Sequence, residues 1–227
     1  MQRALSRSPF NILKWLACLL ILKVTVSVVL IYDGYLPPDF TTDFLLGRQD
    51  YFWGSYSWAF YTHLAAGPPT LIVGMILLSN RFRACFPQWH RYLGRIQVAN
   101  ILLLLTPSGL WMAFYAMTGA VAGAAFVTLS LATAATAAMG WRTAVKRKFQ
   151  SHQKWMLRNY VLLCSAVVIR MIGGLATVAQ SEAIWLYPLA AWTSWSVPLL
   201  ILELSPKIRQ YARKSTGQLQ PADVTRG

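Results

Sequence analysis

Two of the chain's three histidines lie where a transmembrane iron could be held. His90 opens the stretch His90-Arg91-Tyr92-Leu93-Gly94-Arg95, and His152 opens His152-Gln153-Lys154-Trp155-Met156-Leu157-Arg158. Each stands at the start of an apolar run, so both fall at the same membrane interface and could meet across neighbouring helices. Two histidines on facing helices are the usual axial pair of a membrane haem b, with cationic side chains available for the propionates. Arg91, Arg95 and Arg158 are the candidates for that role. The competing reading is a pair of polar histidines at headgroup level, with no metal between them.

A second group lies inside the apolar runs. Lys23, His63 and Arg170 are ionisable residues in stretches that otherwise read as membrane spans, where such groups are costly and default to functional hypotheses. At 1.5 Å rise per residue they sit about 13, 11 and 12 Å from the outer ends of their helices. Three basic groups thus share one level, with no acid at that depth. Either they face different ways, or His63 stays neutral, or an anionic ligand sits among them. Lys23 has the further option of reaching the interface along its own stem.

His63 has Ala59, Ala66 and Gly67 at i−4, i+3 and i+4. That hollow face leaves room for a broad, flat ligand, although a hydrogen bond to a neighbouring helix would explain the histidine as well. One turn on, Pro68 and Pro69 each remove a donor and free the carbonyls of Leu64 and Ala65. His63 is about 24 Å in depth from His90 and His152, so it cannot join them.

These residues need helices in a membrane to position them. Of 227 residues, 56% are hydrophobic and only 12% charged, against about a quarter charged in soluble domains. Apolar stretches at 12–32, 56–79, 92–114, 120–140, 156–178 and 183–204 predict an all-α polytopic membrane protein, a six-helix transmembrane bundle forming one domain over 1–227. The net charge of +14 would suggest nucleic acid in a soluble protein, but its distribution reads as topology. Eighteen of the 21 Lys and Arg lie at the N-terminus, the second and fourth loops, the C-terminal tail and the adjoining helix ends. Arg48 is the one cation in the other loops, where Asp33, Asp39, Asp43, Asp50 and Glu182 gather. The positive-inside rule then places both termini in the cytoplasm and the chain, multi-pass, in the inner (plasma) membrane.

The first run, interrupted by Lys23 and followed by no small-residue cleavage site, reads as a retained anchor. The small residues of 120–140, with Gly119 and Gly123 four apart and Ser130, Ala134 and Ala138 likewise, suit close helix packing, or a wall of a slot for a flat ligand. The three cysteines are not placed to form a bridge, and the sequence contains no GxGxxG, phosphate-loop, CxxC or HExxH motif.

The His63 helix, Trp89 through Arg95, His152 with Trp155-Met156-Leu157-Arg158, and Arg170 together resemble the predicted membrane proteins of domain-of-unknown-function family 2306. The resemblance runs from about Tyr56 to Arg170 and beyond, and that family implies a membrane protein without implying a reaction. A looser similarity is to the six-helix, two-haem cytochromes b, which pair ligands on helices two and four and on three and five. His90 and His152 fit the second pairing; the first fails because the fourth span has no histidine, so one haem at most is supported.

Two functions therefore stand side by side. One is haem b-binding or quinone-linked transmembrane electron transfer, with His90 and His152 on the iron and a quinone-like or anionic site near His63 and Arg170. The other is a non-redox small transporter or lipid- or anion-binding protein in which Lys23, His63 and Arg170 hold the ligand. Either is compatible with a homo-oligomer or a larger membrane complex.

Overall fold

The computed structural model describes residues 9–205 apart from positions 43 and 182. Every regular element among them is helical, because in lipid each segment must satisfy its own backbone polar groups. In order they are α1 (Pro9–Leu30), α2 (Gln49–Phe52), α3 (Ser55–Leu77), α4 (Asn80–Cys85), α5 (Pro87–Asn100), α6 (Thr106–Ala113), α7 (Ala120–Val145), α8 (Phe149–Leu163), α9 (Ser165–Val178) and α10 (Leu186–Leu204). A tight turn, Ile31–Tyr35, extends α1, and a π-helical turn, Ile101–Leu105, joins α5 to α6.

Among the described residues, five stretches are long and apolar enough to cross a bilayer: Ile12–Tyr35, Ser55–Leu77, Pro87–Ala113, Ala120–Val145 and Phe149–Val178. The chain is an all-α, multi-pass membrane protein with five candidate spans, which corrects the expected six-helix transmembrane bundle. The stretch at 183–204 does form a helix, α10. Its apolar content, however, is diluted by Tyr187, Pro188, Thr193, Ser194, Ser196, Pro198 and Glu203. Its tryptophans, counted as apolar in the composition, carry a polar edge that suits them to interfaces. The cation count placed both termini in the cytoplasm on the assumption of six crossings, an assumption that five candidate spans do not support. Residues 1–8 and 206–227 lie outside the described residues, as do Asp43 and Glu182.

The prolines of α3 act as their positions require. The Leu64 carbonyl that Pro68 frees accepts a hydrogen bond from the Tyr32 hydroxyl at 3.0 Å, tying the turn after α1 to α3. Farther along, Asn100 Nδ2 donates to Thr70 Oγ1 at 2.6 Å and to the Ala66 carbonyl at 3.3 Å, and Gln97 Nε2 donates to the Thr70 carbonyl at 2.9 Å. In α5–α6 the π turn precedes Pro107, which has no N–H to offer; the Thr106 N–H reaches back five residues to the Ile101 carbonyl.

The small residues of α7 serve close packing. Ala122, Ala125 and Ala137 are completely buried, and a Cβ on Gly123 would stand 2.9 Å from the Ala113 carbonyl oxygen. Against α7 lies the fully buried Asn159 of α8, whose Nδ2 donates to the Thr133 carbonyl at 2.8 Å and to Thr136 Oγ1 at 3.1 Å. One core cluster, with Leu71, Ile101, Ala137, Tyr160, Leu163 and Val167, fills the middle of the bundle. A second, around Leu45, Phe52, Tyr56 and Phe60, closes the end that carries the 36–54 loop. We refer to that end as the aromatic end; the opposite, basic end carries Arg81, Arg83, Arg91, Arg95, Arg142, Lys146, Arg147 and Lys148.

Candidate functional site

Between the aromatic end and the bundle middle lies a cavity of 1110 Å³. Its wall is drawn from α1 (Val24, Val28), α3 (His63, Gly67), α6 (Gly109, Met112), α7 (Ser130, Thr133) and α9 (Arg170, Gly173), under a roof that includes Phe44 and Arg48. The lining is mostly apolar, so its few polar groups define what it can hold.

His63 and Arg170 both line it and lie close enough for their charges to interact. Lys23 does not join them. Its side chain is exposed and its neighbours Val24 and Thr25, rather than Lys23 itself, face the cavity. The rotation of α1 separates three residues that share a depth.

The imidazole of His63 is seated against α6. Its Nδ1 is 3.2 Å from Ser108 Oγ, and that hydroxyl is within bonding distance of the Leu104 carbonyl at 2.6 Å and the Leu105 carbonyl at 3.1 Å. A hydroxyl has one proton; donated to a carbonyl, it leaves the oxygen to accept from Nδ1–H. The network therefore assigns the Nδ1–H tautomer and leaves Nε2 as an acceptor. Gly109 provides the seat, since a Cβ there would lie 3.3 Å from His63 Cε1 and 3.2 Å from Ser130 Oγ. Of the small residues around His63 on α3, Gly67, where a Cβ would meet nothing within 4 Å, lines the cavity, and Ala59 and Ala66 are buried. Ser130 and Thr133 of α7 also form cavity wall.

Arg170 keeps a large part of its surface accessible. Its Nη1 donates to the Ala166 carbonyl of its own helix at 2.8 Å, and Tyr32, Tyr35 and Tyr187 surround it within electrostatic range. Among the described residues it meets no carboxylate; the one ion pair there is Arg158 with Glu203.

Arg48 is the residue that sequence reasoning missed. Counted only as a lone loop cation, it is 3% exposed. Nε donates to the Phe44 carbonyl at 2.6 Å, and Nη1 serves the Tyr51 hydroxyl (2.9 Å), the Tyr56 hydroxyl (3.1 Å) and the Tyr115 carbonyl (3.0 Å). The guanidinium also lies over the Phe44 ring, 4.6 Å from its centroid. The available signal was its isolation: a single arginine among aspartates and aromatics has no topological reason to be there. The nearby Asp39 does not answer it. Asp39 Oδ1 accepts from the Thr41 hydroxyl at 2.7 Å and the Thr41 N–H at 2.9 Å, and these bonds hold its carboxyl below the ordinary value.

At the basic end, His90 and His152 stand in the first turns of α5 and α8, close enough for their charges to interact. His152 Nδ1 donates to the Gly140 carbonyl at 2.9 Å, leaving Nε2 with its lone pair. His90 Nδ1 is buried without a hydrogen-bond partner. Arg158 holds Glu203 through both nitrogens, Nε to Oε1 at 2.5 Å and Nη2 to Oε2 at 2.9 Å, and its guanidinium lies over Trp155. Arg91 and Arg95 are exposed. Neither His90 nor His152 lines the cavity, so the two groups of candidate residues form separate sites.

Among the described residues no three His, Cys, Asp or Glu side chains converge. A haem iron needs only two donors from the protein, so this bears on haem neither way; His152 anchors Nδ1 on the Gly140 carbonyl, as ligating histidines characteristically do.

The family model described as "Predicted membrane protein (DUF2306)" matches residues 60–205, more than half of the chain. The chain belongs to this family. The matched region contains His63, His90, His152 and Arg170, whereas Arg48 and the α1 wall of the cavity precede it. No curated protein and no solved structure matches the chain, and the looser similarity to cytochromes b has no counterpart in these comparisons.

Proposed function

We propose that this DUF2306 protein binds a membrane-soluble anionic amphiphile in the cavity at its aromatic end. Arg170 holds the charged end of the ligand, and His63 offers Nε2 as an acceptor beside it. The observation that carries this reading is Arg170: a guanidinium opening onto a largely apolar cavity of 1110 Å³, its described hydrogen bond made only to its own helix. A cation without a described carboxylate partner in such surroundings is costly, and a bound anion offsets that cost. The setting we propose is the inner (plasma) membrane.

A palmitate probe carrying a diazirine tests the reading in detergent-purified protein. Wild type is expected to be labelled at cavity residues. Arg170→Gln should reduce this labelling about tenfold or more, the loss of a charge-assisted hydrogen bond to the ligand. Labelling that is absent from the cavity, or equal in the two proteins, refutes the assignment.

The basic end supports a second reading, haem b between His90 and His152. It rests on the His152–Gly140 hydrogen bond and on the unpartnered Nδ1 of His90. A bound haem would supply one-electron transfer. The protein's part would be to hold its iron from α5 and α8, with Arg91 and Arg95 free for the propionates and Arg158 available only by releasing Glu203. Protein purified from haem-supplemented cells should then show a Soret band and reduced α and β bands, lost in His90→Ala and in His152→Ala. A colourless protein ends this reading and leaves the cavity proposal untouched.

A further inference from the structure

The cavity offers two guanidinium groups to one ligand. Arg48 and Arg170 approach it from the roof and from α9, and Tyr187 of α10 lies within electrostatic range of both. Arg48 uses Nε and Nη1 for its described hydrogen bonds; Nη2 makes none among the described residues. Of the described acids, Asp39 is occupied by Thr41, Asp33 accepts from the Gly34 N–H, Asp50 is exposed and is not part of the cavity wall, and Glu203 pairs with Arg158 at the other end. Two positive charges therefore border one low-dielectric space, with no described carboxylate between them.

His63 adds an acceptor. A quinone is neutral and would leave both charges uncompensated. A carboxylate or a phosphodiester carries one negative charge. A phosphate monoester carries about two near neutral pH and presents three acceptor oxygens, matching planar guanidinium donors in charge and geometry.

We infer that the amphiphile is a lipid phosphate monoester, its phosphate bridging Arg48 and Arg170 and its acyl chains in the apolar part of the cavity. This deepens the proposed function and rests on it. The chemistry recognised, a phosphate dianion, is shared with inorganic phosphate, so the test separates the two sources.

Wild-type protein carrying the palmitate probe is challenged with short-chain phosphatidic acid, phosphatidylglycerol, diacylglycerol and inorganic phosphate. Phosphatidic acid should displace the probe at a concentration about tenfold or more below that of phosphatidylglycerol, one charge-assisted contact apart, and diacylglycerol and inorganic phosphate should fail. Arg170→Gln, which leaves the roof contacts in place and is read by direct binding of radiolabelled lipids because the probe labels it weakly, should bring the two anionic lipids close to parity. Equal competition by the two lipids in wild type overturns the dianion and leaves the amphiphile reading standing. Displacement by inorganic phosphate as effective as by phosphatidic acid overturns the lipid. Failure of the probe to label wild type at all removes the reading on which both depend.

Discussion

Replacing Arg48 by leucine is expected to destabilise the aromatic end more than any other single truncation there. The side chain is buried, and it hydrogen-bonds the Phe44 carbonyl, the Tyr51 and Tyr56 hydroxyls and the Tyr115 carbonyl, the last 67 positions away in sequence. Leucine fills part of the volume but leaves these groups without their donor, and an unsatisfied buried acceptor costs about 1–3 kcal/mol. Removing a costly buried charge works the other way, since replacing buried ionic groups by apolar ones is sometimes neutral. Several stranded polar groups outweigh that gain here, and the expected loss is about 3 kcal/mol. Thermal unfolding of the detergent-purified protein, followed by tryptophan fluorescence, would show it. Arg48→Lys should fall between, keeping the charge without the fork that serves several acceptors at once. A leucine variant as stable as wild type would mean that the aromatic cluster of Phe52, Tyr56 and Phe60 holds the roof without its arginine.

The second large effect is expected at Gly74, in the last turns of α3. A Cβ there would stand 2.8 Å from both Cδ2 and Cε2 of Tyr160 and 3.3 Å from Gln97 Nε2. Neither neighbour yields easily. The Tyr160 hydroxyl donates to the Leu71 carbonyl at 3.2 Å, and Gln97 donates to the Thr70 carbonyl, so both are pinned to α3 itself. Gly74→Ala must therefore push α3 away from α5 and α8, at a cost of about 1–3 kcal/mol, with Gly74→Leu costing more. The diagnostic experiment is a double-mutant cycle. Tyr160→Leu alone should destabilise by losing its hydrogen bond, yet combined with Gly74→Ala it should cost less than the sum, because the clash has gone. Strict additivity would place the glycine's importance somewhere other than this contact.

How much of the site was legible in the sequence depends on which residue is considered. Arg170 and His63 could be found because a charge or an imidazole inside an apolar run is visible without any fold. The Leu64 carbonyl could also be named in advance, since proline frees the acceptor four residues back wherever it falls. Its partner could not. Tyr32 lies on another helix, and nothing in the local pattern favoured it over Tyr35. Lys23 illustrates the converse failure. Depth follows from counting residues, but direction does not, and a helix turns about 100° per residue. Val24 and Thr25 face the cavity and Lys23 faces away. The miscounted sixth span has a simpler origin: tryptophan and tyrosine were treated as apolar in a helix that also carries two prolines and Glu203.

The amino-acid sequence by itself determined that this is a helical membrane protein, that one end is basic, and that ionisable groups lie within its spans. These properties follow from composition and from local backbone rules, which act over a turn or two of helix. Only the tertiary structure decided that His63 and Arg170 share a cavity while Lys23 does not, that His90 and His152 lie near each other but apart from it, and that Arg48 roofs the space as its second cation. Each of those outcomes depends on how helices rotate and pack against one another. Such contacts join residues far apart in the chain, and no local pattern carries them.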